Sequence, residues 1–561
     1  MKNKEVIEII RESYSERSPD VLQNLRFDSI EKTKTKEIPV RRRYIAVAAV
    51  YIAACIVIVC ILPFITSMKK DSGITPSGDV GSISSDTNTV PETTEQEADV
   101  VPPKKDHDFG GAEFKILHVG KEKQYDYWKT NVADMYARDI YLIPDEREGE
   151  MISSAVSKRN NTVEEEYNVR FVSETVEDLS KETLARMQAG QCDFNVILDE
   201  GVASKWYVTG LKGYLYDLRE MENIDLTQSY WMPKASESLT VAGRQFFSGG
   251  MVTMDAVGHA EILYYNNDLM SELGYGDKTP ADMVEMGSWT YERMLEMVVA
   301  AGKDLNGDGR ITVDDRWNGL YEQYLKGIII NSSTALRDIG NGEYELVPYT
   351  SKTLDAYNRY ANTIESAYRK DGNINLPVHG TYDVWYEDYF LRAPFEKGNT
   401  LFMLGSIDYA RELSGVKGGY SIVPVPVLEE GDEYVARGDA NSNMLSVPID
   451  MADPYMTGAV LEYMAILSER MLYPAYINET LGTNVADNDN NYKMADVIKN
   501  SVRYDWAELY NWGSQYSSYG EYENMRMRLF DSGLHPEYEL DEEKVMRPIN
   551  TVVERLEKVG K

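Results

Sequence analysis

Apolar positions follow two rhythms at the start of the main body of the chain. Over 150–167, Ile152, Ala155, Val156 and Val163 recur at helical spacing. Short apolar runs, Phe114-Lys-Ile-Leu-His-Val119, Val169-Arg-Phe-Val172 and Phe194-Asn-Val-Ile-Leu198, have the length and texture of buried strands. Leu184 and Met187 mark a second helix between the last two runs, with Ser180 as its expected N-cap and Gly190 as its stop. Strand, helix, strand, helix, strand predicts an α/β fold that opens on a parallel sheet. Ligands of such sheets gather beyond the carboxyl ends of the strands, here the loops at 118–125 and 199–201.

The pattern before residue 109 is of another kind. Residues 44–65 run without a charge, and about 22 residues at ~1.5 Å each match a hydrocarbon core of ~30 Å, which predicts one transmembrane helix. Arg41, Arg42 and Arg43 precede it and only Lys69 and Lys70 follow closely, so the basic side is expected in the cytoplasm. Ile52-Ala53-Ala54-Cys55 resembles a site of lipoprotein cleavage and acylation, the competing reading. The apolar run continues through Ile56-Val57-Ile58-Val59, where such signals turn polar, and favours the spanning helix. From Asp71 to Asp108 there is no Phe, Trp or Tyr, and Ser, Thr, Gly, Pro and acids dominate, as in a flexible tether spanning roughly 30–40 Å. The expected organisation is a cytoplasmic head over 1–43, a membrane segment over 44–68, a disordered linker over 69–108 and an extracellular body over 109–561.

Composition narrows the function. With 43% hydrophobic residues the body can bury substantial cores, and a net charge of −34 repels phosphate backbones over most of its surface, which excludes nucleic-acid binding as the main activity. Residues 1–43 hold eleven basic and eight acidic side chains, so the acidity belongs to the remainder. Three cysteines, Cys55, Cys60 and Cys192, provide no disulfide framework, and five scattered histidines provide no zinc spacing. No nucleophile elbow, phosphate loop or dinucleotide fingerprint occurs to support catalysis.

One local motif carries metal chemistry. Asp304-Leu-Asn306-Gly-Asp308-Gly309-Arg310-Ile311-Thr312-Val-Asp-Asp315 fits the twelve-residue calcium loop, with oxygen ligands at positions 1, 3 and 5, glycine at 6 and an acid at 12. Arg310 would contribute its carbonyl, Thr312 would act through water, and Asp315 closes the loop with a shorter reach than the usual glutamate. A single loop of this kind predicts a structural Ca²⁺ clip, the alternative being an acidic turn that holds no ion.

Tyrosine is abundant, 40 residues against 12 Phe and 8 Trp, and such rings stack on the C–H faces of sugars while their hydroxyls bond to them. Trp206, Trp317 and Trp385 stand in loops where stacking is expected, whereas Trp231 and Trp289 read as core residues. Asp199, Glu200, Asp255, Asp408 and Asp439 lie near expected strand ends or crossings and complete the candidate binding set for sugar hydroxyls. Two facing carboxylates could also hydrolyse a glycoside, so a surface glycosidase is the weaker alternative.

Several segments carry a family resemblance. Ala155-Val-Ser-Lys-Arg-Asn-Asn-Thr-Val-Glu-Glu-Glu-Tyr-Asn-Val169, Met187-Gln-Ala-Gly-Gln-Cys-Asp-Phe-Asn-Val-Ile197, Ile262-Leu-Tyr-Tyr-Asn-Asn-Asp-Leu269, Gly287-Ser-Trp-Thr290, Phe395-Glu-Lys-Gly-Asn-Thr-Leu-Phe402 and Val423-Pro-Val-Pro426 together resemble, over roughly residues 110–530, the carbohydrate-associated extracellular solute-binding proteins of bacterial ABC importers. The resemblance implies a two-lobed body of the type II periplasmic-binding kind that closes on a solute by hinge motion. It also implies binding without chemistry, so no enzyme activity, with a carbohydrate ligand, an oligosaccharide foremost, and delivery to ABC permease subunits. The head, Ile10-Arg-Glu-Ser-Tyr-Ser-Glu-Arg-Ser-Pro-Asp-Val-Leu22, is loosely similar to membrane-bound anti-sigma-type regulators, which makes a transmembrane sensor the runner-up.

Overall fold

The alternation at the start of the body folds as its pattern predicts, in a computed structural model that describes residues 107–119, 150–176, 178–200, 212–307, 316, 336–340, 343–346, 394–413, 415–439, 442–482, 488–504 and 542–559. The head, the expected membrane segment and the linker up to residue 106 lie outside these residues. Among the described residues no helix is long and apolar enough to cross a membrane. All of the described residues belong to one compact unit, 101–561.

Strand β1 (Ala112–Val119) pairs in parallel with β2 (Val169–Val176) and β3 (Val196–Glu200), and helices α1 (Glu150–Tyr167) and α2 (Leu179–Gln188) make the crossovers. Side chains alternate across the pleat: Phe114, Ile116, Val196 and Leu198 enter one core, and Leu117 and Ile197 the other. Helix α2 starts earlier than expected. Asp178, extended at φ −132°, accepts the Lys181 N–H, and Ser180 lies inside the first turn. Gly190 ends that helix at φ +63°, as its sequence indicated. The folded body already includes His107 and Asp108 from the expected linker: His107 is buried with its ring 5.0 Å from Tyr167, and Asp108 accepts the Gly110 N–H at 2.9 Å.

The chain then leaves this sheet. After α3 (Pro233–Leu239) and the single turn α4 (Asp255–Gly258), β4 (Glu261–Asn266) forms the centre of a second sheet. Helices α5 (Asn267–Glu272), α6 (Pro280–Glu285) and α7 (Tyr291–Ala301) follow, each started by a side-chain cap from Asn266, Thr279 or Thr290. Beyond the hairpin β5 (Leu336–Gly340) and β6 (Glu343–Leu346), β7 (Phe402–Ser406) and β8 (Tyr420–Pro424) flank β4, both antiparallel to it. Only the first sheet has the parallel core that the opening pattern predicted.

The return is long-range. After β9 (Ala436–Arg437), strand β10 (Asn443–Ser446) joins the first sheet antiparallel to β3, and its free side is bonded at Ser248. Helix α8 (Pro454–Leu467) covers that sheet with Val460, Met464 and their neighbours. A five-residue π-turn over 468–472 leads into α9 (Tyr473–Leu481), and α10 (Asn488–Lys499) packs on β8 of the second sheet. Strand β11 (Val502–Arg503) pairs with β9, and α11 (Glu542–Leu556) docks Val552, Val553 and Leu556 into the larger core. The chain therefore passes between the two sheets three times: from β3 to β4, from β8 to β10, and from α8 to α10.

Candidate functional site

The five candidate acids come together around the first residues of β10. Asn443 and Met444 sit opposite Glu200 and Asp199 at the carboxyl end of β3, where the parallel strands predicted a site. The Ser442 N–H donates to the Asp439 carbonyl at 3.0 Å. Asp255 Oδ2 accepts two bonds from Asn443, from its backbone N–H at 2.8 Å and from Nδ2 at 2.7 Å. Asp408 opens the turn after β7 and is reached through His259, whose Nδ1 lies 3.2 Å from Ser442 Oγ and whose Nε2 lies 3.4 Å from Asp408 Oδ2.

Three of these acids are buried: Asp255 is 1% exposed, Asp408 2% and Asp199 6%. Tyr476 donates to Asp408 Oδ1 at 2.6 Å, and the Arg411 guanidinium stacks over the Tyr476 ring 5.4 Å from its centroid. Burial raises the Asp255 carboxyl to about 6, against the opposing pull of His259 and of the two Asn443 donors. Asp255 Oδ1 receives no hydrogen bond within the described residues, and neither does Asn443 Oδ1. The backbone that presents Asp255 is strained as well, since Met254 has φ +60°, a region that costs a non-glycine residue of order 1 kcal/mol or more.

Residues the sequence had not nominated bind the passages to one another. Tyr504, beyond β11, is fully buried, and its backbone N–H donates to Ser238 Oγ at 2.8 Å. A Cβ on Gly249 would stand 3.0 Å from the Tyr504 hydroxyl, and one on Gly438 would stand 2.7 Å from its ring, so the ring fits only between two glycines, one on each crossover. Arg159, on the inner face of α1, donates to the Val252 carbonyl at 3.2 Å and to Ser468 Oγ at 2.9 Å, joining the first crossover to the π-turn of the third passage. Its guanidinium is brought down to about 9 by burial. The spacing 152, 156, 159, 163 already put this arginine on the buried stripe of its helix.

Trp231 and Trp289 are fully buried, and their indole N–H groups donate to Glu462 Oε2 at 2.6 Å and to the Pro424 carbonyl at 3.0 Å. Asn266, within the segment Ile262–Leu269, bonds the Lys417 carbonyl at 2.7 Å besides capping α5, so that part of the resemblance marks structure. Trp206, Trp317 and Trp385 lie outside the described residues.

Of the calcium loop, Asp304, Asn306 and Gly307 are described, and Asp308, Arg310, Thr312 and Asp315 lie outside. Asp304 Oδ1 accepts the Gly307 N–H at 2.6 Å. Lys303 and Arg316, the residues flanking the twelve on either side, exchange backbone bonds of 2.9 and 3.0 Å, which closes the loop at its base. Among the described residues no group of three or more His, Cys, Asp or Glu is arranged to hold a metal ion.

No protein-family model matches the chain, and no curated protein matches it in sequence. Solved structures similar to it include the sugar-binding protein MalE from Xanthomonas citri, at 15% identity and a TM-score of 0.40, covering 80% of this chain and 98% of that one. The maltose-binding periplasmic protein MalE from Listeria monocytogenes in complex with maltose is similar at 13% identity and a TM-score of 0.43, covering 80% and 99%. The galacto-N-biose-/lacto-N-biose I-binding protein of an ABC transporter from Bifidobacterium longum is similar at 10% identity and a TM-score of 0.41, covering 81% and 96%. All three are described as sugar-binding proteins.

Proposed function

We propose that this chain is an extracellular, membrane-tethered receptor that captures a carbohydrate between two hinged lobes and hands it to an ABC permease. The observation that carries the reading is the threefold passage of the chain between two sheets, with acidic side chains gathered where the passages meet. A body built in this way can pivot about a few connecting residues. Glu200 and Asp439 supply planar acceptors for hydroxyls, and Trp206, Trp317 and Trp385 supply stacking faces; Asp199, Asp255 and Asp408 support the crossing. The runner-up keeps the same capture step and sends its signal through residues 1–43, on the observation that the head is similar to anti-sigma-type regulators. The loop Asp304–Asp315 is assigned a structural calcium ion, supported by its ligand spacing and by the closed base at Lys303 and Arg316.

Titration calorimetry of the full-length chain against a panel of neutral oligosaccharides tests the reading. Saturable heat with at least one glycan, without turnover, is the expected result. Absence of heat across the panel sinks the carbohydrate assignment, and turnover replaces it by the glycosidase. Protease added to intact protoplasts should degrade the large body and spare the head, and a protected body would overturn the tethered topology.

A further inference from the structure

The first and second crossovers meet in polar contacts, and one oxygen of the acid at the centre of that junction accepts no hydrogen bond. Ser248 and Leu445 exchange backbone bonds of 3.0 and 2.9 Å, His259 meets Ser442, and Asp255 meets Asn443, so the first and second crossovers are stapled at three successive points. Oδ2 of Asp255 already accepts two N–H donors, while Oδ1 is buried and accepts none. A buried carboxylate with no protein donor at one oxygen is costly as the ion and much less so as the neutral acid. Separation of the crossovers would readmit water to Oδ1 and remove the penalty.

We propose that Asp255 is a proton-operated latch of this hinge: neutral, it holds the two crossovers together, and ionised, it favours their separation. The proposal rests on the hinged reading of the body and not on which solute it takes. The charged and titratable groups facing Asp255 are His259 just after the same short turn, Asp408 from the turn after β7, and Tyr504 from beyond β11 with Asp439 beside it. Asp408 adds negative charge that opposes ionisation of Asp255, and His259 pulls the other way without overcoming burial. Burial raises the Asp255 carboxyl into the range between weakly acidic and neutral surroundings, which places the response where an exported protein meets changing pH.

Hydrogen exchange of the full-length chain without solute provides the test. The amides of Asn443 and Leu445 donate across the staple, and their protection, corrected for the intrinsic pH dependence of exchange, should fall at least severalfold between pH 5 and pH 7.5. In Asp255→Asn, an uncharged isostere, protection should be nearly level over the same range. An infrared band of a protonated buried carboxyl, present at pH 5 and lost by pH 7.5 in the unmodified chain, keeps the test open if that variant does not fold. Level protection in the unmodified chain, an unchanged pH response in folded Asp255→Asn, or absence of the carboxyl band at pH 5 would each overturn the latch. None of these readouts involves a ligand, so a chain that binds no sugar can still pass, and one that binds sugar can still fail.

Discussion

Gly258 lies so close to Asp408 that it cannot carry a side chain. A Cβ there would stand 2.6 Å from Asp408 Oδ2 and 2.5 Å from the Tyr476 hydroxyl, within the hydrogen bond that joins these two residues. The glycine lets the first crossover press against the second sheet at the point where His259 reaches Asp408. Gly258→Ala should therefore cost about 1–3 kcal/mol through overpacking, read as a lower melting temperature of the purified chain. An unchanged melting temperature would mean that Asp408 and Tyr476 can swing aside freely.

Arg159→Ala removes a buried side chain and leaves the Val252 carbonyl and the Ser468 hydroxyl without their donor. A loss of about 2–5 kcal/mol in denaturant unfolding is expected from the cavity and the unmet polar groups together. Arg159→Met keeps most of the volume and should fall between the two. Equal stability of the methionine variant and the unmodified chain would show that the hydrogen bonds contribute nothing beyond packing.

Glu462 gives a pH prediction with a definite sign. Burial raises its carboxyl, against donors from Tyr230, Trp231 and the Asp225 N–H, so its folded-state value lies above its ordinary one. The contribution of this group to stability is present in full below its ordinary range and is lost as the pH rises through the raised value. Melting temperatures taken from pH 4 to pH 7 should decline less steeply in Glu462→Gln than in the unmodified chain. Parallel curves would remove Glu462 as the cause.

Calcium should stabilise the chain by mass action if Asp304–Asp315 holds the ion. At ten times the dissociation constant the gain is about 1.4 kcal/mol, and Asp304→Ala with Asp308→Ala should erase it. Identical melting temperatures in calcium and in EDTA would reduce the loop to an acidic turn.

Legibility in the sequence followed the range of the interactions. Helix α1 was readable because Ile152, Ala155, Val156 and Val163 answer to one another within its own turns, and the parallel order of β1, β2 and β3 followed from the alternation of elements. The sequence points to Ser180 as the start of α2, whereas the cap is Asp178, because a serine in the first turn and a true cap look alike without the extended backbone of Asp178. Strand β10 has no local sign of its allegiance, since its partner β3 is far away in the chain. Strand ends point to the acids of the candidate site, but Asp199, Asp255 and Asp408 are buried, and the residues that bond Asp255 and Asp408, Asn443 and His259, carry no distinguishing spacing. Arg159 was the exception, a charge on an apolar stripe whose position was visible and unused.

The late arrival of β10 sets a clock for the newborn chain. Its first sheet has three strands once β3 has been made, yet the edge of β3 stays open until roughly 240 further residues have emerged, about 10–50 s at ordinary rates of synthesis. During that interval the open edge can template pairing with another chain. Export in an unfolded state, or a chaperone that shields residues 196–200 until residue 446 has been made, would spare the cell that aggregate.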